Sequence, residues 1–144
     1  MTQVDFFLLP EDQKTELLPF ACRLLEKAYR QGGQVYVKLV DAEQIQALDQ
    51  LLWTFRQGSF IPHAAWPTAL ASRDCPIILG VEEAPEGWRE VLLNLSGHLP
   101  EQTGVYGRII ELVGYQPTQR EGARQRFRQY RELGLNPQTT QLAV

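Results

Sequence analysis

Short β-branched and apolar runs alternate with stretches of helical periodicity along this chain, and that alternation restricts it to layered α/β architectures. Residues 4–9 form an apolar run that stops at Pro10 and reads as a strand. Leu17, Phe20, Ala21, Leu24, Leu25 and Ala28 then recur at helical spacing through Arg30, and Gly32 and Gly33 end the helix. Residues 34–40, rich in Val and other apolar side chains, read as a second strand. Asp41 and Gln44 have the spacing of a capping box at the head of a helix through Leu52. Residues 77–79 and 91–94 are further strands, separated by a loop over residues 82–87. Two helices are expected to close the chain. One covers residues 102–113, with Tyr106, Ile109, Ile110 and Val113 on one face; the other covers residues 119–133, capped by Thr118 and Glu121 and stopped by Gly134. The remaining tail is polar and is expected to pack only in part.

This order predicts an α/β Rossmann-like three-layer fold with a mostly parallel central sheet, because parallel strands need helical crossovers of one hand. At 144 residues with no internal repeat or linker, the chain is expected to be one domain over residues 1–144. No apolar run approaches the roughly 20 residues that span a bilayer, and the amino terminus has no basic export region. Cys22 and Cys75 are too few and too far apart for a disulfide scaffold, so a cytoplasmic location is expected.

Such a fold raises the question of a nucleotide, and the residues argue against one. The first strand runs into Leu9-Pro10-Glu11-Asp12, where two carboxylates would repel pyrophosphate. The Gly32-Gly33 pair stands at the wrong end of its helix for an anion, and no GxxxxGK[ST] occurs. His63 and His98, the two histidines, lie in no metal-ligand spacing; His63, following a proline, reads as ordering a turn. Ser96-Gly97-His98 lacks the glycine that precedes a nucleophile elbow. No cofactor, no metal and no catalytic constellation is therefore expected.

Two surfaces stand out. Arg120, Arg124, Arg126, Arg128 and Arg131 are concentrated in a chain of net charge −3. At about 100° per residue, Arg120, Arg124, Arg128 and Arg131 share one narrow sector of a helix, with Ala123, Phe127 and Tyr130 in the sector beside it. A basic stripe beside an apolar shelf suits a partner with carboxylates and a hydrophobic end. It equally suits single-stranded nucleic acid, through phosphates and stacked bases, or is a solvated face whose aromatics enter the core. Gly122 within this helix costs about 1 kcal/mol relative to Ala, which loosens the expected placement of Arg120. In the helix after Asp41, Ile45, Leu48, Leu51, Leu52 and Phe55 point inward, whereas Trp53 points away. With Phe60 in the following Gly-Ser loop, Trp53 has the character of an interface anchor. Trp66 and Trp88 read as core or loop packing.

Leu48-Asp49-Gln50-Leu51-Leu52-Trp53 with Ser59-Phe60-Ile61-Pro62-His63, and Ala123 through Arg131 with Gly134-Leu135-Asn136, resemble the chi subunit of bacterial DNA polymerase III holoenzyme. The opening Phe6-Phe7-Leu8-Leu9 and the order of elements extend the resemblance over essentially the whole chain. The resemblance implies a non-enzymatic accessory protein of DNA replication with a Rossmann-like fold and no nucleotide. It implies two protein partners: the psi subunit of the clamp-loader complex, and the acidic, Phe-terminated tail of the single-stranded-DNA-binding protein, through which contact with single-stranded DNA is indirect. The tail site maps onto Arg124, Phe127 and Arg128, with Val113, Arg120 and Arg131 as neighbours and Val113 and Phe127 as the pocket floor. The psi-facing surface, or that of an alternative partner, maps onto Trp53 and Phe60.

Overall fold

A computed structural model describes residues 2–10, 16–54, 61–65 and 76–142. In chain order these form β1 (Gln3–Leu8), α1 (Leu17–Arg30), β2 (Val35–Lys38), α2 (Ala42–Thr54), β3 (His63–Ala65), β4 (Ile77–Gly80), β5 (Val91–Asn94), a 3-10 turn (Thr103–Val105), β6 (Arg108–Val113), α3 (Pro117–Glu132) and β7 (Gln138–Gln141). Among the described residues the strands make one seven-stranded sheet in the order β3-β4-β2-β5-β6-β1-β7. Every pairing in it is parallel.

Side-chain alternation along the strands divides the core into two layers. Val35, Val37, Ile77, Leu79, Leu93 and Leu112 face α1 and α2, meeting Ala21, Cys22, Leu25, Leu48 and Leu52. Tyr36, Ile78, Leu92, Ile109 and Val113 face the other way, with Phe6, Ala123 and Tyr130. Helices on both faces of a parallel sheet give the three-layer Rossmann-like fold.

Several local expectations hold. α1 has the bounds its periodicity indicates, and it closes on Gly32 at φ 77°, with the Gly33 N–H reaching back to the Ala28 carbonyl. Asp41 caps α2 by accepting from the Gln44 N–H at 2.9 Å, and Gln44 accepts in turn from the Val40 N–H at 2.7 Å. Trp88 is a core residue, as expected.

Three expectations change. Residues 102–113 are not a helix: after the 3-10 turn they form the strand β6, hydrogen-bonded to β1 and β5. The spacing of Tyr106, Ile109, Ile110 and Val113 satisfies a helical stripe. A strand buried on both faces, however, is apolar at nearly every position, and in so short a run helix and strand periods coincide. The cap of the last helix lies two residues earlier than Thr118 and Glu121. Gln116 and Gln119 cap each other's backbone N–H groups, and Pro117 opens the helix, its fixed φ suiting the first turn. The polar tail packs only in part, as expected, with all four β7 residues exposed, and it is ordered as a strand on the sheet edge paired with β1. The three-residue β3, where His63 was expected to order a turn, is a further strand without a sequence signal. Phe60, Trp66 and Cys75 lie outside the described residues.

Candidate functional site

The crossover from β6 through α3 to β7 lays α3 over the sheet with β1 between its two strands, and leaves a groove of about 390 Å³ between the helix and β7. Arg120, Arg124, Arg128 and Arg131 all line it, as their common helical sector requires. Phe6 and Leu8 of β1, together with Ala123 and Phe127 of α3, supply its apolar surface, and Thr139 of β7 lines it from the strand side. The half-buried Phe127 ring is held by Phe6 at a centroid distance of 5.4 Å, and Phe6 meets Tyr130 edge-on at 5.8 Å. The Arg131 guanidinium lies 5.9 Å from the Phe127 ring centroid, within cation–π range. The groove thus has an apolar surface held by ring contacts and a rim of cationic side chains.

The four arginines differ in their commitments. Arg120 donates from Nε to the Gly114 carbonyl at 3.0 Å and from Nη2 to the Leu9 carbonyl at 2.6 Å. These bonds tie the first turn of α3 to the carboxyl ends of β6 and β1, so Arg120 is firmly placed despite Gly122. Arg124 makes an exposed pair with Glu121 at 3.3 Å, a contact of about 0–1 kcal/mol that a better-placed anion displaces readily. Arg128 has no anionic partner among the described residues. Arg124, Arg128 and Arg131 are solvent-exposed.

Val113, expected in the floor of the same pocket, is instead buried in β6 beside Ala123 and Tyr130 and is 1% exposed. Its side chain belongs to the inward face of a strand, and Phe6 and Leu8 occupy the floor in its place. Neither was anticipated, because their role depends on β1 running beneath α3. The signal available in the sequence was the apolar alternation of Val4, Phe6 and Leu8.

Arg126 leaves the stripe altogether. It lies about 200° around the helix from Arg124, and its Nε donates to Oε1 of Glu111 at 3.0 Å, beneath α3. Glu111 is fully buried in β6. Its Oε2 accepts from the Tyr130 hydroxyl and the Asn94 amide, each at 2.7 Å, and the amide oxygen of Asn94 accepts from the Ser96 hydroxyl at 2.7 Å. Burial pushes the Glu111 carboxyl above the usual carboxylate range, opposed by the Arg126 charge and the hydrogen bonds from Tyr130 and Asn94. Burial, followed by the neighbouring Glu111 charge, also pushes the Tyr130 hydroxyl upward. This network pins the inner face of α3 and thereby aims the arginine stripe outward.

A second concavity lies at the carboxyl ends of β5 and β6, where nucleotide-binding folds of this topology place phosphate on a helix amino terminus. Here the α3 terminus is engaged by its own Gln116 and Gln119 side chains. A Cβ placed on Gly114 would lie 2.1 Å from the Gln119 side-chain oxygen, so this amide covers the turn after β6.

Trp53 stands on the other side of the sheet, on α2. It is 57% exposed and meets the His63 ring edge-on at 5.6 Å. His63 is held in turn, with Nε2 2.7 Å from Oδ1 of Asp49 and Nδ1 2.7 Å from the Ile61 carbonyl. The indole is therefore an exposed ring on a braced platform. Among the described residues, no group of three or more His, Cys, Asp or Glu could hold a metal ion, and no helix is long and apolar enough to cross a membrane.

Comparison with known proteins gives one consistent result. The family described as DNA polymerase III chi subunit, HolC, matches residues 1–138. A DNA polymerase III subunit chi from Pseudomonas aeruginosa is 42% identical over 134 residues, covering 93% of this chain and 92% of the relative. The subunit chi of Escherichia coli is 24% identical over 143 residues, covering 96% and 97% of the two chains. That of Haemophilus influenzae is 26% identical over 140 residues, covering 93% of each.

Proposed function

The chain belongs to the DNA polymerase III chi subunit family, and from that premise we propose that it is a non-catalytic adaptor of DNA replication. In this reading residues 1–144 act as one domain in the cytoplasm. The domain joins the clamp-loader complex through psi, and holds the acidic, Phe-terminated tail of single-stranded-DNA-binding protein. The observation that carries the reading is the coincidence of four arginines and an apolar floor in one groove. Arg124, Arg128 and Arg131 meet the tail's aspartates and terminal carboxylate, while Phe6, Leu8, Ala123 and Phe127 receive its last ring. Arg120, already bonded to two backbone carbonyls, closes the end of the groove and contributes its charge.

Exposed ion pairs contribute about 0–1 kcal/mol each. The ring therefore supplies much of the affinity, and the charges set encounter rate and salt sensitivity. A dissociation constant in the micromolar range, about 8 kcal/mol, suits a contact that must release as replication advances. Trp53 and Phe60 form the psi-facing surface in this proposal, with the His63 brace fixing the angle of the indole.

Titration with the acidic tail peptide at low and high salt, with a bare oligonucleotide as competitor, tests the assignment. Binding is expected to weaken with salt and to disappear when the terminal Phe is removed. Arg124→Ala and Arg128→Ala should each weaken it several-fold or more while leaving the unfolding midpoint unchanged. Single-stranded nucleic acid is the rival ligand, but it calls for aromatic faces open to base stacking, whereas Tyr130 is buried and Phe127 half-buried against Phe6. Oligonucleotide binding without peptide binding would transfer the groove to nucleic acid.

A further inference from the structure

The groove has a second kind of recognition surface besides its arginines. β7 is the outermost strand beside β1, and all four of its residues, Gln138, Thr139, Thr140 and Gln141, are exposed. The Leu142 N–H donates inward to the Leu8 carbonyl at 2.9 Å. Backbone groups alternate in direction along a strand, so Thr140 also faces β1, and Thr139 and Gln141 turn their N–H and C=O groups to the free edge. Among the described residues these outward groups have no partner. The edge strand also carries neither the charge nor the proline that commonly guard against strand addition, since its sequence is Gln-Thr-Thr-Gln. Thr139 is moreover the residue by which β7 lines the arginine groove.

We infer that the acidic peptide binds as an eighth strand on the free edge of β7, bonded to the backbone of Thr139 and Gln141, with alternate side chains directed into the arginine groove. This inference rests on the tail-binding reading above and specifies its geometry. The edge and the groove are continuous: a strand added outside β7 has one face on the α3 side of the sheet, where Arg124, Arg128 and Arg131 project. Every second side chain then falls within reach of the cationic rim, and the others point to the opposite face. An acidic occupant is chosen by charge. The arginines beside this edge repel the arginines of a second copy but complement a carboxylate-rich segment. Main-chain bonding of this type supplies affinity independent of side-chain identity, and the alternating side chains supply selectivity.

The test uses the full chain and synthetic acidic tail peptides carrying single backbone N-methyl groups, one position at a time, upstream of the terminal Phe. Strand addition predicts a period of two: methylation at positions of one parity weakens binding about tenfold or more, and at the other parity hardly at all. Aspartate-to-asparagine changes should show a parallel alternation in salt dependence. Equal tolerance of methylation at every position, with the unmodified peptide still bound, would overturn the strand geometry and leave the adaptor reading standing. No binding of the unmodified peptide would overturn both. Concentration-dependent dimerisation that is lost in Gln141→Pro, combined with peptide binding indifferent to that change, would assign the edge to a second copy and overturn the inference.

Discussion

Arg126 and Arg124 lie two residues apart on one helix, yet they have opposite fates. Arg124 is exposed and loosely paired; Arg126 is sequestered against a carboxylate with no solvent exposure. Removing one member of a buried pair leaves the other uncompensated, so Arg126→Ala is expected to cost about 3–5 kcal/mol in denaturant unfolding. Arg124→Ala should cost less than about 0.5 kcal/mol, as surface substitutions do. The Arg126 variant should also change the pH profile in a defined direction. Glu111 has its carboxyl raised by burial in the fold, so the native state binds more protons than the unfolded chain. Stability linked to it is fully present below the ordinary glutamate range, about pH 4.3, and is lost as pH rises through the folded-state value. Without the Arg126 charge that value rises further, and unfolding midpoints between acid and neutral pH should fall more steeply than in the parent. A flat or opposite difference would show that Glu111 does not carry the linkage. Cys22 offers a simpler check on burial. Its thiol is pushed up to about 11, so at pH 8 only about one molecule in a thousand holds the thiolate, and alkylation at this site should await unfolding.

At the scale of elements, α3 was legible because its period is long, its polar sector broad and its stop signal strong. The same reasoning failed at β6, where burial on both faces erased the alternation that identifies a strand. It failed again at β7, whose polar composition carries no hydrophobic pattern because its side chains are all exposed and its order comes from backbone bonds to β1. Phe6, Leu8 and Thr139 were missed as groove residues for the same reason: they enter only through the placement of β1 and β7 beside α3. The arginine stripe could be read from one helix, but its far wall could not. The junction joining α3 to β7 is correspondingly sensitive. Gly134 has φ 87°, and the Leu135 N–H returns to the Tyr130 carbonyl at 3.1 Å, turning the chain toward the edge. No side chain blocks the site, so Gly134→Ala is a test of backbone conformation alone. It is expected to destabilise the protein by about 1 kcal/mol and to raise hydrogen exchange in β7 before it does so in β1. Tail-peptide affinity should fall with the loss of β7 order.

For the whole molecule, the relevant fact is that the arginine groove and Trp53 lie on opposite faces of one sheet. α3 covers the face of Phe6, Tyr36 and Ile109 and is built into the β6-β1-β7 end. α2, which carries Trp53, covers the face of Val37, Leu79 and Leu93, and it packs against β3 and β4 at the other end. The parallel sheet, with β2 and β5 at its centre, stands between them. Among the described residues no side chain belongs to both sites, and the hydrogen bonds of the Glu111 network stay on the α3 side. Coupling between ligands requires an element with two arrangements that both ligands bias, and the described residues join the two surfaces only through packed strands. The adaptor is therefore expected to hold its partners additively. Affinity for psi, measured with and without saturating tail peptide, should agree to within about 0.5 kcal/mol, the margin expected of distant independent sites. Trp53→Ala should abolish the psi response and leave the tail titration unchanged, whereas Arg128→Ala should weaken tail binding several-fold and leave the psi response unchanged. In the proposed adaptor such independence would have a mechanical use, because a weak and salt-sensitive grip on the tail would open and close repeatedly while the other surface kept its hold on the clamp loader. A coupling larger than that margin would mean that the sheet transmits strain from β7 to α2, and would replace a passive connector with a switch.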